Sequence, residues 1–135
     1  MAEPSSHLIR NRATLVEAMG CWPSFHDSNV LSARRDGDSC EVTFHVFHMT
    51  DDVDARGYFV LTHHHRVHMT MSGVSECSLP VGYQTDTLFD LLIEGTEGAL
   101  SLTFTSVTDQ HWRVMCREVS IDAVVPCGPR GELAT

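Results

Sequence analysis

A chain of 135 residues, 42% apolar and 20% charged, carries enough hydrophobic material to close one core and too little length to need two. Eighteen acidic side chains against nine Lys and Arg leave a formal charge of −9, which argues against nucleic acid and against an anionic membrane surface, since both need cations to neutralise phosphate. No apolar run approaches the roughly 20 residues that span a bilayer, and the polar opening MAEPSSHLIRNRATLVEAMG lacks a secretory core, so a cytoplasmic location is expected.

In chain order, residues 6–19 have the spacing of a helix. Leu8, Ile9, Leu15, Val16 and Met19 fall on one side, Ser5 or Ser6 is placed to cap the start, and Gly20 stands where a left-handed terminator is wanted. After Gly20 the helical period does not return. NVLSARRDGDSCEVTFHVFHM splits at Asp36-Gly37-Asp38, a hairpin signal between two β-prone runs. GYFVLTHHHRVHMTMSG alternates, which predicts Phe59, Leu61, His63, His65, Val67, Met69 and Met71 on one face and Thr62, His64, Arg66, His68 and Thr70 on the other. VSECSL, TLFDLLIEG and ALSLTFTSV read as further strands. In HWRVMCREVSIDAVVP the apolar parity changes between Trp112, Val114, Cys116 and Val119, Ile121, Ala123, so a bulge or bend near Arg117–Glu118 is required if both halves face one core. Pro126 closes the last strand, leaving 1–126 as a single domain and 127–135 as a loose tail. The fold class is α+β, one N-terminal helix on a largely antiparallel sheet of about seven or eight strands. No glycine-rich phosphate loop occurs, and no cofactor is expected.

The chemistry-bearing residues fall into three groups. The first is GCWPSFHDSNV, where His26–Asp27 raises the prospect of a metal ligand pair or a catalytic relay with Ser24 or Cys21. The pair follows a proline turn rather than sitting on a helix, and nothing nearby forms a nucleophile elbow. A structural corner explains it more simply: Pro23 stiffens the turn, Trp22 and Phe25 anchor it, Asp27 accepts backbone N–H bonds and His26 donates to a carbonyl. The second group is FHVFH with HHHRVH. His63 and His65 are strand neighbours about 6–7 Å apart, and His45 or His48 from an adjacent strand would complete a small metal site, the one enzymatic alternative the sequence offers. Its neighbours are Leu61, Val67 and Met69, with no carboxylate in the run, so the metal-free state is favoured. The third is MTDDVDARGY. Asp52 and Asp54 echo a calcium loop, but Arg56 stands where an oxygen ligand belongs. Asp51, Asp52 and Asp54 instead make a solvated acidic protrusion suited to a basic partner. The five cysteines are odd in number and widely spaced, with no C-x-x-C pair, and read as reduced small hydrophobes.

Taken together, GCWPSFHDSNVLSARRDG and TFHVFHMTDDVDARGYFVL resemble the immunity protein 50 family of bacterial polymorphic-toxin systems. The matching elements are the corner Trp22, Pro23, Ser24, Phe25, His26, Asp27 and the loop Met49, Thr50, Asp51, Asp52, Val53, Asp54, Gly57, Tyr58, within a resemblance spanning residues 15 to 72. Beyond that the chain departs from the family pattern, with Tyr83 and Gln84 as the remnant of a later Gly-Phe…Gln-Asn stretch. The resemblance implies a small α+β protein, monomer or homodimer, that neutralises a cognate toxin by contact, with no catalytic residue and no cofactor. A self-associating scaffold is the remaining alternative.

Overall fold

The computed structural model describes residues 8–78, 86–107 and 110–133. One helix, α1 (Arg12–Met19), is followed by eight strands: β1 (Asn29–Asp36), β2 (Ser39–Val53), β3 (Phe59–Ser72), β4 (Glu76–Cys77), β5 (Asp86–Thr96), β6 (Ala99–Ser106), β7 (His111–Cys116) and β8 (Glu118–Pro126). The strands form one sheet in the order β4-β7-β6-β5-β1-β2-β3-β8, and every neighbouring pair is antiparallel. This is the α+β class expected, with the helix laid on β3 and β8.

The helix is shorter than its apolar spacing predicts. Ser5 and Ser6, the expected caps, lie outside the described residues, and the helix begins at Arg12. Just before it, Arg10 bonds β8 instead: its N–H donates to the Val119 carbonyl at 2.9 Å and its carbonyl accepts from Ile121 at 2.9 Å. Satisfying backbone groups on a strand edge competes with extending the helix, and here the strand wins. Asn11, with φ 60°, turns the chain from that bridge into the helix, a conformation asparagine tolerates well. Gly20 ends the helix as expected, at φ 83° with its N–H on the Val16 carbonyl at 2.7 Å.

The sheet is really two halves. β1 joins β5 through just two residue pairs, Asn29–Thr87 and Val30–Asp86, while the ladders on either side are long. The halves turn toward each other, so Phe44 of β2 stacks on Phe104 of β6 with centroids 6.1 Å apart and planes 8° apart. Val42, Val46, Val67, Met69 and Met71 from one half and Leu88, Leu102, Val114 and Trp112 from the other meet in the same core, which α1 completes with Leu15 and Met19. The parity break near Arg117 is a bend that moves the chain between halves: β7 pairs with β6, β8 pairs with β3, and the Arg117 N–H donates to the Ser72 carbonyl at 2.9 Å. Both Cys116 and Val119 are thereby buried.

Two further expectations change. The alternation along β3 does not survive its middle, because His63 adopts φ 58° and adds a residue opposite β2 between Val46 and His48. His65 then aligns with buried Val46, but Leu61 aligns with Met49 on the outer face, so Phe59 and Leu61 leave the face that carries Val67, Met69 and Met71. The segment after Pro126 is not a loose tail over residues 127–133. Cys127 N–H donates to the His64 carbonyl, Gly131 N–H to Gly128, and Arg66 Nε to the Gly131 carbonyl at 2.5 Å. Gly131, at φ +79°, lies so close to the sheet that an added Cβ would stand 3.3 Å from His45 and Leu31. Glycine lets this turn lie flat on β1 and β2.

Candidate functional site

The corner at residues 22–28 is a joint between the halves. Pro23 and Phe25 are buried, and an aromatic chain runs Trp22–Phe25 (5.8 Å), Phe25–Phe44 (5.1 Å) and on to Phe104. Phe25 and Asp27 both take left-handed φ, 62° and 66°. The Asp27 N–H donates to the Leu88 carbonyl at 2.9 Å and the Leu88 N–H returns to Ser28 at 2.8 Å, tying the corner to β5. The Ser28 hydroxyl donates to the Phe25 carbonyl at 2.7 Å, and Ser24 Oγ accepts the His26 N–H at 3.2 Å. Among the described residues no backbone N–H donates to the carboxylate of Asp27, contrary to the expectation. That carboxylate faces His26 Nε2 at 3.5 Å on the surface, and the joint is made by backbone groups and the Ser28 hydroxyl. The two left-handed residues aim those backbone groups at β5 and leave the carboxylate outside.

The histidines expected as one cluster are divided between two faces. His45 is buried on the outer face and its Nε2 meets Nδ1 of His64 at 2.9 Å, with the rings stacked at 5.1 Å and Phe47 against both. The turn at 127–133 covers this pair, and Nδ1 of His45 is buried with no hydrogen-bond partner among the described residues. Burial, then the adjacent His64, holds His45 below its ordinary pKa, because the charged form would be stranded in a site that also holds Arg66. On the opposite side of β2, His48 packs edge-on against His63 at 4.8 Å and its Nε2 donates to the Met19 carbonyl of α1. His65 Nδ1 donates to the His63 carbonyl at 2.8 Å. The set His45, His48, His63 and His65 does not converge, and among the described residues no group of three His, Cys, Asp or Glu is arranged around a common point. The inclusion of His64 and Phe47 was missed. Phe47 follows from strand parity with His45, while the three consecutive histidines at a strand centre were the signal for a left-handed residue, which histidine adopts more readily than most.

Along the same outer face, a shallow groove of about 290 Å³ is lined by Ser32, Arg34, Glu41, Thr43, His68 and Asp122. These groups engage one another. Arg34 donates to Glu41 at 3.0 and 2.5 Å, Thr43 meets His68 at 3.0 Å, and Asp122 accepts from Ser120 at 2.9 Å and from Thr70. Few polar atoms are left pointing at a ligand.

The acidic loop is where the chain leaves the body of the fold. β1 pairs with β2 no further than His45, and β8 pairs with β3 no further than His65. Beyond those points, among the described residues, β2 and β3 continue as a two-stranded arm with no sheet neighbour. At its tip Asp54 closes the hairpin: its Oδ1 accepts N–H groups from Arg56 at 2.8 Å and Tyr58 at 3.1 Å, and Gly57 takes φ +88°. Asp54 is therefore a loop-holding residue, not part of a free acidic patch. Asp51 and Asp52 stand on an irregular stretch of β2 between the pairs Met49–Leu61 and Val53–Phe59, and both are exposed. Those two pairs share one face, continuous with Phe47. Met49 is 52%, Val53 57%, Phe59 54% and Tyr58 67% exposed, an apolar strip that composition gave no reason to expect outside the core.

Comparison with known protein families, curated proteins and solved structures returns no match to this chain. Among the described residues no helix is long and apolar enough to cross a membrane.

Proposed function

We propose that the chain is an immunity-type protein that neutralises a cognate bacterial toxin by direct contact, without catalysis, and that the β2–β3 arm is its contact element. Support comes from the resemblance of residues 15 to 72 to the immunity protein 50 family, whose two motifs fall on the corner and on the arm tip. The observation that carries the reading is the arm itself. A two-stranded ribbon without a neighbour is marginally stable in water, yet this one extends past the fold and exposes Met49, Val53, Tyr58 and Phe59 beside Asp51 and Asp52. Large side chains held in water at a protruding tip are costly to solubility and are retained where a partner covers them. The test is to look for a toxin domain encoded beside the gene and to co-express the chain with it. Protection of the producing cell is expected; a toxin that kills equally well with and without the chain overturns the proposal.

A further inference from the structure

The outer face of the arm is divided by the C-terminal turn. Residues 127–133 cover its base, over His45, His64 and Leu31. From Met49 outward no other described segment pairs with the arm, and the same face stays apolar: exposed Met49 opposite half-buried Leu61, then exposed Val53 opposite exposed Phe59, with Tyr58 at the tip. We infer that this strip binds a cationic, amphipathic segment of a partner protein, which lays apolar side chains on Met49, Leu61, Phe59 and Val53 and sets Lys or Arg against Asp51 and Asp52. The inference rests on the reading of the chain as a binding protein and gives that partner its chemistry.

Charge chooses the occupant. A second copy laid on the strip would bring Asp51 and Asp52 of both copies together, under a formal charge of −9 on each. Opposed like charges also deter edge-to-edge pairing of identical strands. A basic segment meets the opposite situation. The two carboxylates are exposed and, among the described residues, make no side-chain contact that a partner must break, and they stand between the two apolar pairs, where a cation can meet them while its neighbours reach the apolar residues on either side. Division of labour follows: the acids accelerate encounter, and the buried apolar contact slows departure. Arg56 lies over the Tyr58 ring, its guanidinium carbon 5.9 Å from the centroid.

The probe is a fluorescent peptide of alternating valine and lysine, compared with the same peptide carrying glutamate for lysine or threonine for valine. Anisotropy reads affinity, and amide shifts map the contact on the full chain. The valine–lysine peptide should bind and shift amides of residues 47–61, and both control peptides should bind at least tenfold more weakly. Asp51→Asn with Asp52→Asn should weaken binding on the order of tenfold at low salt and little at high salt, and Phe59→Ser should weaken it at both. Each variant's melting temperature is measured alongside. Peptide binding that ignores the Asp51→Asn/Asp52→Asn change, amide shifts elsewhere, or sedimentation as a dimer that Phe59→Ser dissolves would overturn the inference, the last in favour of a second copy. The cellular assay separates the two readings. If the chain fails to protect while the peptide behaves as stated, the toxin assignment falls and the binding chemistry stands. If Phe59→Ser and the double Asn variant protect as well as the native chain, the docking surface is wrong and the immunity reading survives.

Discussion

Replacing His45 by leucine tests the most unusual polar group in the fold. The imidazole is buried between β3 and the C-terminal turn, bonded through Nε2 to His64 and through nothing at Nδ1 among the described residues. Losing the bond to His64 costs about 1 kcal/mol, and removing an unsatisfied buried nitrogen returns about 1–3 kcal/mol, so His45→Leu should be neutral or more stable by up to about 2 kcal/mol near neutral pH. The pH dependence is the sharper readout. Burial and the adjacent His64 depress the pKa of His45, with Arg66 acting in the same direction and Glu132 of the turn opposing. A depressed value means that the unfolded chain takes up the proton first. His45 therefore contributes stability above its ordinary 6.5 and loses it as pH falls toward the lower folded value, with a slope of at most about 1.4 kcal/mol per pH unit. Urea unfolding at about pH 7.5 and about pH 5.5 measures both effects, in the range where histidine titrates. The native chain should lose stability between those conditions and the leucine variant should lose clearly less. An identical slope in both proteins, or a loss of more than about 2 kcal/mol for His45→Leu at the higher pH, would refute the placement of a neutral, half-satisfied imidazole there.

At the arm tip, Asp54→Asn should leave the melting temperature nearly unchanged, because the amide oxygen still accepts from Arg56 and Tyr58, whereas Asp54→Ala should cost about 1–2 kcal/mol and broaden the amide signals of residues 54–58. At the corner, the φ of 66° predicts that Asp27→Gly and Asp27→Asn are tolerated while Asp27→Val loses about 1–2 kcal/mol by thermal unfolding; equal losses for Asn and Val would return the carboxylate to a structural role. Burial pushes the Cys40 thiol up to about 12 and Cys116 to about 11, so iodoacetamide followed by mass spectrometry should label exposed Cys21 in the native protein and reach Cys40 and Cys116 only after denaturation.

Much of the architecture was legible because strand period is a local signal. The hairpin at Asp36-Gly37-Asp38, the alternation of β6 and the parity change at Arg117 follow from side chains that must face one core. Contests between local and distant partners were not legible. Residues 8–11 have helical spacing, but Arg10 found a strand edge more than a hundred residues away. The run Phe59 to Met71 alternates without fault in the sequence, and a single left-handed residue, His63, turned its first part outward. That reversal created the apolar strip, which is why Phe59 and Leu61 read as core in the sequence. Asp51 and Asp52 are exposed on the arm, but Asp54 carries a different task, closing the turn, that an acidic count cannot distinguish from solvation.

Strand order and chain order disagree at three junctions, and the one between β3 and β8 has a consequence for synthesis. β3 emerges from the ribosome early and pairs with β2 on one side, but its other neighbour is β8, residues 118–126. Between the two lie β4 through β7, about half a hundred residues that take several seconds to make at about 5–20 residues per second. Until β8 is made, the strand that pairs with His65–Ser72 on that side does not exist, nor does the complete opposite half against which Val67, Met69 and Met71 are buried. A nascent chain in that condition is a target for holding chaperones and a template for misplaced pairing. Arrest of translation just before β8 should therefore yield an aggregation-prone, protease-sensitive chain, and supplying residues 118–126 should be the event that seals it.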